Sequence, residues 1–580
     1  MGRLGGIRLN RMVRRVLLFA VVGFLTLTQS SAAATRPSIV LITLDSARAD
    51  RMGFLGGRGA LTPKLDAIAR QSLVFEQAYA QAPTTVTSHA TLLSGTYPQT
   101  HHASELGTPL AAGIPWLSEL FRARGYKTAA FVGSVALDPR NGDAPGFDRG
   151  FEVFDAGFTP SAGGPPTGVR SGAAVAARAT KWIQARGSAV PFFVWVHLGD
   201  AEFATGSAYD RAVAAEDVAV ESLVAALRIA KAFDDAAVVI AADHGQSLGA
   251  HGEDLHGVFL YDETMHVPLV LKLPQQQMAG TRVSGRVSLV DVAPTVLEAA
   301  GVPVPSQMQG QSLLRIAKTK PTADQSVYAR SDFPQQGFGW SALESWRAGR
   351  YLYVRAPKPE LYDLSADPGS TRNVAQASKA TLDTIAGQLQ AFDSHLSGQG
   401  GQSASGLSTS EAQKLASLGY VGMERSGGPV NAASSGTDPK DAIAVANKTL
   451  AAFASLQQGK VDAALAALQQ VAASQPNAFL AQYGVGALLA QRQQYKPAID
   501  ALHKAIELQP NSGWAHFAMG VCLVKTGDFK TAAVHLELAT ARLPEFSTAH
   551  RYLAETYEKL GKPTEAQAER AKIAAAPGAK

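Results

Sequence analysis

The run SIVLITLD, residues 38–45, decides the fold of this 580-residue chain. Ser38–Leu44 is a continuous apolar, β-branched run, the pattern of a strand buried on both faces, and it stops on a carboxylate, Asp45. Two further runs repeat the pattern. Pro191–Leu198 (PFFVWVHL) delivers His197 and Asp200 at its end, and Ala236–Ala242 (AAVVIAA) runs straight into Asp243-His244-Gly245. Between them lie a helix-like LTPKLDAIARQ (61–71), a helix around Trp116–Gly125, a strand Thr128–Val132 and a Gly/Pro-rich surface insert, Gly157–Gly168. Strands alternating with helices predict an α/β fold: a central, mostly parallel sheet with helices on both faces. Ligand sites in such sheets lie at the carboxyl ends of strands, which makes Asp45, His197, Asp200, Asp243 and His244 candidates. His251 and His256 follow close behind, within AHGEDLHG, and the cluster suits a metal.

A loop apart from these ends, PTTVTSHATLLSGTYP (83–98), gathers Thr84, Thr85, Thr87, Ser88 and His89 ahead of the apolar run Ala90–Leu93. It reads as a polar loop feeding a helix. A helix start offers unpaired N–H groups and the positive end of a dipole, which suits phosphate or sulfate. A hydroxyl there is a candidate nucleophile; the same residues also make a plain N-cap.

The length predicts two to four domains, and 46% hydrophobic with 17% charged residues is a globular composition. The formal net charge of +5 is matched by Arg3, Arg8, Arg11, Arg14 and Arg15 in the first 34 residues, where Val16–Leu27 is apolar and Ala32-Ala33-Ala34 is small. These features read as a cleavable signal peptide, residues 1–34, and predict a secreted or periplasmic protein that meets a membrane only if the leader stays attached. Without the leader the charge is about zero, which argues against a nucleic-acid partner. One cysteine, Cys522, excludes an intrachain disulfide and a thiolate site in the catalytic region.

VLITLDSARAD (40–50), TVTSHATLLSGTYP (85–98), GFDRGFEVFD (146–155) and ADHGQSLGAHGE (242–253) occur in that order, followed by HGVFLYDETMHVPLVL (256–271), VSLVDVAPTVLEAAG (287–301) and ELYDLSADPGSTRNVA (360–375). The ordered set resembles the sulfatase-like branch of the alkaline phosphatase superfamily. That resemblance implies a catalytic domain over 35–395 with a small C-terminal sheet subdomain, and a divalent metal holding a hydroxyl-type nucleophile. Asp45 matches the first metal carboxylate, and Asp243 and His244 match the later pair. Thr85, both nucleophile and metal ligand, matches the first position of the Cys/Ser-x-Pro-Ser-Arg signature, here Thr85-Val86-Thr87-Ser88-His89.

The departures from the family are informative. Sulfatases convert that Cys or Ser to formylglycine, and threonine cannot give the aldehyde, so no formylglycine is expected. Related phosphodiesterases, nucleotide pyrophosphatases and phosphoethanolamine transferases use an unmodified threonine, so Thr85 points to hydrolysis or transfer of phosphate or phosphonate esters of small molecules, glycans or lipids. Ser46 stands where many sulfatases have a second aspartate. Two carboxylates, an imidazole and an alkoxide suit Zn²⁺ best, with Mn²⁺ or Ca²⁺ as alternatives. His197 and His256 are the candidates for stabilising charge or protonating the leaving group, while His89, His251 and Asp200 are candidate substrate-binding or second-metal groups. His89 replaces the signature arginine, Thr87 its proline, and Ala201-Glu202-Phe203 a Pro-His-x-Pro-Tyr segment; His266 replaces a usual arginine. Two other readings therefore stay open: a sulfuric ester hydrolase without formylglycine, and a catalytically degenerate scaffold.

Ser397–Ser405 and Ser426–Thr437 are Gly/Ser-rich, and SEAQKLASLGYVG between them is helix-like, so 396–441 reads as a linker with one short docking helix. Beyond it Pro476, Pro510 and Pro544 recur every 34 residues; Gly459, Gly527 and Gly561 share a register in which Gln493 fills the missing place. Ala464, Ala498, Ala532 and Ala566, and Leu468, Leu502 and Leu536, mark two more. The pattern resembles tetratricopeptide repeats over 442–575, an all-α solenoid that implies a peptide or protein partner, with Tyr483, Trp514, His516 and His550 candidates for its concave face.

Overall fold

The computed structural model describes residues 2, 36–105, 107–111, 113–140, 142–158, 168–186, 190–319, 325–397, 408–418, 420 and 436–575. The leader lies outside the described residues, as do most of the Gly/Pro-rich insert and most of the linker. Eight strands, β1 (Ile39–Leu44), β2 (Leu73–Tyr79), β3 (Lys127–Phe131), β4 (Val153–Asp155), β5 (Phe192–Leu198), β6 (Ala237–Ala242), β7 (His266–Lys272) and β8 (Arg282–Ser288), form one sheet. Its order is β4-β3-β5-β1-β6-β7-β2-β8, with β7 antiparallel to both neighbours and every other pair parallel. All six residues of β1 are buried, as its unbroken apolar run requires. Its five aliphatic side chains contribute on the order of 10 kcal/mol of burial, as an upper bound.

Leu44 sits level with Leu198 on one side and Ala242 on the other, so the chain leaves the sheet at the same height after β1, β5 and β6. That shared edge carries Asp45, Asp243 and His244 just beyond the strand ends. The helix α1 (Thr85–Ser94) packs beside it, while α2 (Gly172–Arg186) and α3 (Gly206–Ile229) pack together and α2 also covers β3 and β5. A second, wholly antiparallel sheet, β12 (Glu360–Asp363)-β11 (Tyr351–Arg355)-β10 (Leu343–Ala348)-β9 (Val327–Ser331), buries Tyr328 and Trp346 against Ile385, Leu389 and Phe392 of α4 (Lys379–Ser397). Among the described residues no helix is long and apolar enough to cross a membrane.

The short helix α5 (Thr409–Ser417) docks on the repeats through Lys414–Glu537 at 2.7 Å and Arg542–Glu411 at 3.1 Å. Eight helices follow in antiparallel pairs: α6 (Pro439–Gln457) with α7 (Val461–Ser474), α8 (Phe479–Gln491) with α9 (Tyr495–Leu508), α10 (Gly513–Thr526) with α11 (Phe529–Arg542), and α12 (Ser547–Lys559) with α13 (Pro563–Ala575). The register reading has a steric basis. A methyl on Gly486 would lie 2.5 Å from Leu502 Cγ, and one on Gly520 2.6 Å from Leu536 Cγ, so glycine lets each pair close. Gly459, Gly527 and Gly561 are left-handed (φ 73°, 87° and 71°), and Gln493 adopts φ 61° at the equivalent turn. Tetratricopeptide repeats thus follow the α/β domain.

The array lies against the α/β domain. Asp438 accepts the N–H groups of Lys358 and Lys440 at 2.9 and 3.0 Å, and the Ser341 N–H donates to the Thr437 carbonyl at 2.9 Å. Asn447 donates to Gly252 O at 2.7 Å and accepts from the Asp254 N–H at 3.1 Å, while Gln509 donates to Gln336 O at 3.1 Å.

Candidate active site

Three strand ends and one helix start meet at the sheet edge. The Asp45 N–H donates to Leu198 O at 2.9 Å and the Asp243 N–H to Leu44 O at 3.2 Å, so the ladder itself carries both carboxylates into the same buried volume. Ser46, left-handed at φ 56°, links them: its hydroxyl donates to Asp45 Oδ1 at 2.7 Å and its N–H to Asp243 Oδ1 at 3.1 Å. The His244 N–H also donates to Asp243 Oδ1, at 2.8 Å. Each carboxylate therefore has one oxygen held and the other, Oδ2, buried without a hydrogen-bond partner. Burying polar oxygens in this way is costly unless something answers them.

His244 donates from Nδ1 to Gly245 O at 2.9 Å, which leaves the Nε2 lone pair directed at 3.2 Å to Thr85 Oγ1 and at 3.6 Å to Asp243 Oδ2. Asp45, Asp243 and His244 each offer one ligand atom within 4.8 Å of the others. The two Oδ2 atoms, of which Asp45's faces His197 Nε2 at 3.2 Å, the His244 Nε2 lone pair and a hydroxyl make a hard-to-borderline donor set that fits a divalent cation. Asp45, Asp243 and His244 thus form a group that could hold a metal ion.

The electrostatics carry the same signature. Burial and the Asp45 charge push the Asp243 pKa well above the usual carboxylate range. Burial opposes ionisation of Asp45 too, but the facing His197, with Nε2 3.2 Å from Oδ2, and the neighbouring imidazoles hold it below that range. A dication between the two would favour both charged forms. Burial lowers His244, and drives His256 down to about 3, so both imidazoles are neutral at pH 7.

The other expected groups fall in different places. Thr85 is the first residue of α1, not part of a preceding loop, and lines the cavity with 3% exposure. His256 lines it too; its Nδ1–H donates to Gln246 Oε1 at 2.6 Å, and the Gln246 amide is oriented by donating to Glu202 O and Ala204 O. His197 stands behind Asp45, fully buried, its Nδ1 accepting the Gly133 N–H at 3.3 Å. His89 is not on the cavity wall. It donates from Nδ1 to Thr85 O at 2.7 Å, and its Nε2 accepts from Thr43 Oγ1, which in turn accepts the Trp195 indole N–H. With both nitrogens engaged it braces α1 from below. Asp200 is turned away as well, accepting the Gly172 N–H at 2.7 Å at the start of α2. His251 stacks on Tyr261 at 3.7 Å beside Glu263, off the cavity.

The α1 N-terminus holds a group the residue pattern did not indicate. Glu105 Oε1 accepts the N–H groups of Val86 and Thr87 at 2.8 and 3.1 Å, so the protein's own carboxylate sits where an external anion was expected. Burial pushes Glu105 up to about 7. Glu105 and Thr85 open onto a cavity of about 280 Å³ whose far wall is the array: Leu450, Phe453, Phe479, Leu480, Tyr483 and Trp514. Tyr483 and Trp514, expected to face a partner, face this cavity. His516 and His550 serve the array's own packing, contacting Pro510 O at 2.8 Å and Pro544 O at 3.0 Å, as Gln482 does Pro476 O at 3.3 Å.

Comparison with known proteins places this geometry. Residues 37–302 match the sulfatase family model, 254–392 the model for the C-terminal region of N-sulphoglucosamine sulphohydrolase, and 449–513 and 517–580 a tetratricopeptide repeat model. An ulvan-active sulfatase of Formosa agariphila is 25% identical over 413 residues, covering 62% of this chain and 80% of that one. Arylsulfatase K of Homo sapiens is 30% identical over 169 residues, 27% of this chain and 31% of that one, so the chain spans about a third of that relative. The crystal structure of a phosphonate monoester hydrolase of Agrobacterium radiobacter aligns with TM-score 0.51 and 21% identity, over 64% of this chain and 97% of that one. A 2-O GAG sulfatase aligns with TM-score 0.51 and 19% identity, over 63% and 92%. These structural likenesses carry the fold.

Proposed function

We propose that this chain, which joins a sulfatase-family domain of the alkaline phosphatase superfamily to tetratricopeptide repeats, hydrolyses monoanionic phosphorus esters, phosphodiesters or phosphonate monoesters, with Thr85 as nucleophile. The observation that carries the reading is the 3.2 Å approach of Thr85 Oγ1 to His244 Nε2 beside the unanswered Oδ2 atoms of Asp45 and Asp243. Asp45, Asp243, His244 and Thr85 would hold Zn²⁺, which supplies Lewis acidity and lowers the pKa of the threonine hydroxyl. Every further step belongs to the chain. Thr85 Oγ attacks phosphorus in line, the P–O bond to the leaving group breaks, and a threonine ester that keeps the second substituent on phosphorus results. His256, with its Nδ1–H held by Gln246, keeps Nε2 as a hydrogen-bond acceptor on the cavity wall, and the proton that the threonine loses ends on the departing oxygen. Water then releases a phosphate monoester (from a diester) or a phosphonate, and restores the hydroxyl. His197 fixes the Asp45 carboxylate from behind.

No Lys or Arg occurs among the residues lining the cavity, and Glu105 already occupies the helix start. A phosphate monoester dianion has little to neutralise it there, which favours substrates with a single negative charge. The phosphonate monoester hydrolase among the structural neighbours agrees with this choice. The leader and the family context agree with a secreted or periplasmic site of action.

The test is a panel of bis(p-nitrophenyl) phosphate, p-nitrophenyl phenylphosphonate, p-nitrophenyl phosphate and p-nitrophenyl sulfate with the zinc-loaded chain. Turnover of the first two, lost in Thr85→Ala, is expected. Full turnover in Thr85→Ala removes the nucleophile, and turnover of the sulfate ester alone replaces this reading with the sulfuric ester one.

A further inference from the structure

We infer that the cavity between the catalytic sheet edge and the array receives a leaving group bearing a positively charged, methyl-rich ammonium head. The inference rests on the ester-hydrolase reading above and adds the substrate class. Its first ground is the wall. The array presents the side chains of Phe453, Tyr483 and Trp514 to the same space that Thr85 opens onto. Aromatic faces attract alkylammonium ions because the ring quadrupole is negative over its face, and the methyl groups gain apolar contact at the same time.

The second ground is charge. Glu105, Asp143 and Glu202 reach this cavity, and among the described residues no cationic side chain lines it. Glu202 is 6% exposed, and its Oε2 is buried with no hydrogen-bond partner. A neutral apolar leaving group would leave that oxygen unanswered and desolvate the other carboxyls. Burial pushes Glu105 and Asp143 up to about 7 and Glu202 well above the usual carboxylate range, and a cation among them favours their charged forms without displacing Glu105 from its two N–H donors.

The third ground is polarity along the cavity. The metal-ligand set and Thr85 mark the end suited to the ester anion, and the acidic, aromatic remainder is left for the alcohol portion. A zwitterionic ester satisfies both ends. The array's aromatic positions thus act as a specificity wall in the same chain.

The decisive measurement compares choline with 3,3-dimethylbutan-1-ol, its uncharged isostere. Both are titrated calorimetrically into the full metal-free chain, and both are tested as inhibitors of bis(p-nitrophenyl) phosphate hydrolysis by the zinc-loaded chain. Choline is expected to bind and compete about tenfold more tightly than the alcohol. Asp143→Asn and Trp514→Leu are each expected to reduce that ratio towards one, with unchanged far-UV circular dichroism. Equal binding of the two, binding of neither, or an undiminished ratio in Asp143→Asn overturns the inference. Turnover without ammonium preference removes this proposal and leaves the hydrolase standing; calorimetric preference without turnover removes the hydrolase reading and, with it, the leaving-group role.

Discussion

At the sheet edge, Asp45 Oδ2, Asp243 Oδ2, Glu202 Oε2 and both carboxyl oxygens of Glu216 are buried with no hydrogen-bond partner. In the array, Gln482, His516 and His550 are as deeply buried, yet each reaches the carbonyl of the proline six residues before it, Pro476, Pro510 or Pro544. The two regions belong to one chain and obey one rule about buried polar atoms, so the difference separates their purposes. The array spends its polar groups on its own architecture. The sheet edge withholds them, and Asp45 and Asp243 gather with His244, whose Nε2 meets the Thr85 hydroxyl.

The sharpest way to break this contrast is Asp243→Asn. Activity is expected to fall by about 10³-fold or more, since a ligand is lost. The metal-free chain should nonetheless melt about 2 °C or more higher, because a like charge beside Asp45 has gone. A lower melting temperature would mean that the carboxylates are structural. Next in size is zinc itself: at a hundredfold excess over its dissociation constant it is expected to stabilise the chain by about 2.7 kcal/mol, reversed by EDTA and absent in Asp243→Asn.

The array should respond in the opposite sense. His516→Ala strands the Pro510 carbonyl and leaves a cavity, and is expected to destabilise by about 2 kcal/mol, read from denaturant unfolding. Burial depresses the His516 pKa to about 4 from its ordinary 6.5, so the neutral ring's contribution is whole above pH 6.5 and is lost as pH falls from 6.5 towards 4. His516→Gln, which copies Gln482 one repeat earlier, should keep stability at pH 7.5 and flatten that acid slope. An unchanged slope would assign it to the other buried imidazole of the pair, His535. The smallest effect is Gln493→Gly, expected to stabilise by about 0.5–1 kcal/mol, because only glycine takes φ 61° without strain.

These contrasts also explain what the linear text could convey. Asp45 and Asp243-His244 were readable because an unbroken apolar strand has to end somewhere, and both faces of that strand are covered. The 34-residue registers were readable because close helix contact admits only small side chains at fixed steps. Glu105 was not: nothing local ties a glutamate to the N–H groups of Val86 and Thr87, nearly twenty residues earlier, and only the folded loop brings them together. His89 and Asp200 carry functional residue types, but their hydrogen bonds to Thr85 O and from the Gly172 N–H use those types for support. His251 was misplaced for a related reason: proximity in the chain to Asp243-His244 did not carry it round the turn that stacks it on Tyr261. The positions of Tyr483 and Trp514 followed from the repeat, but what they face depends on docking across the molecule, which no periodicity encodes.

Tyr483 and Trp514 belong to successive modules and stand outside the proline-carbonyl hydrogen bonds, although each also packs within the array, Tyr483 on Phe479 and Trp514 on Phe546. A lineage that exchanged one such module would acquire a new binding chamber while inheriting its reactive centre intact. Chemistry and selectivity would then evolve on separate clocks within a single polypeptide.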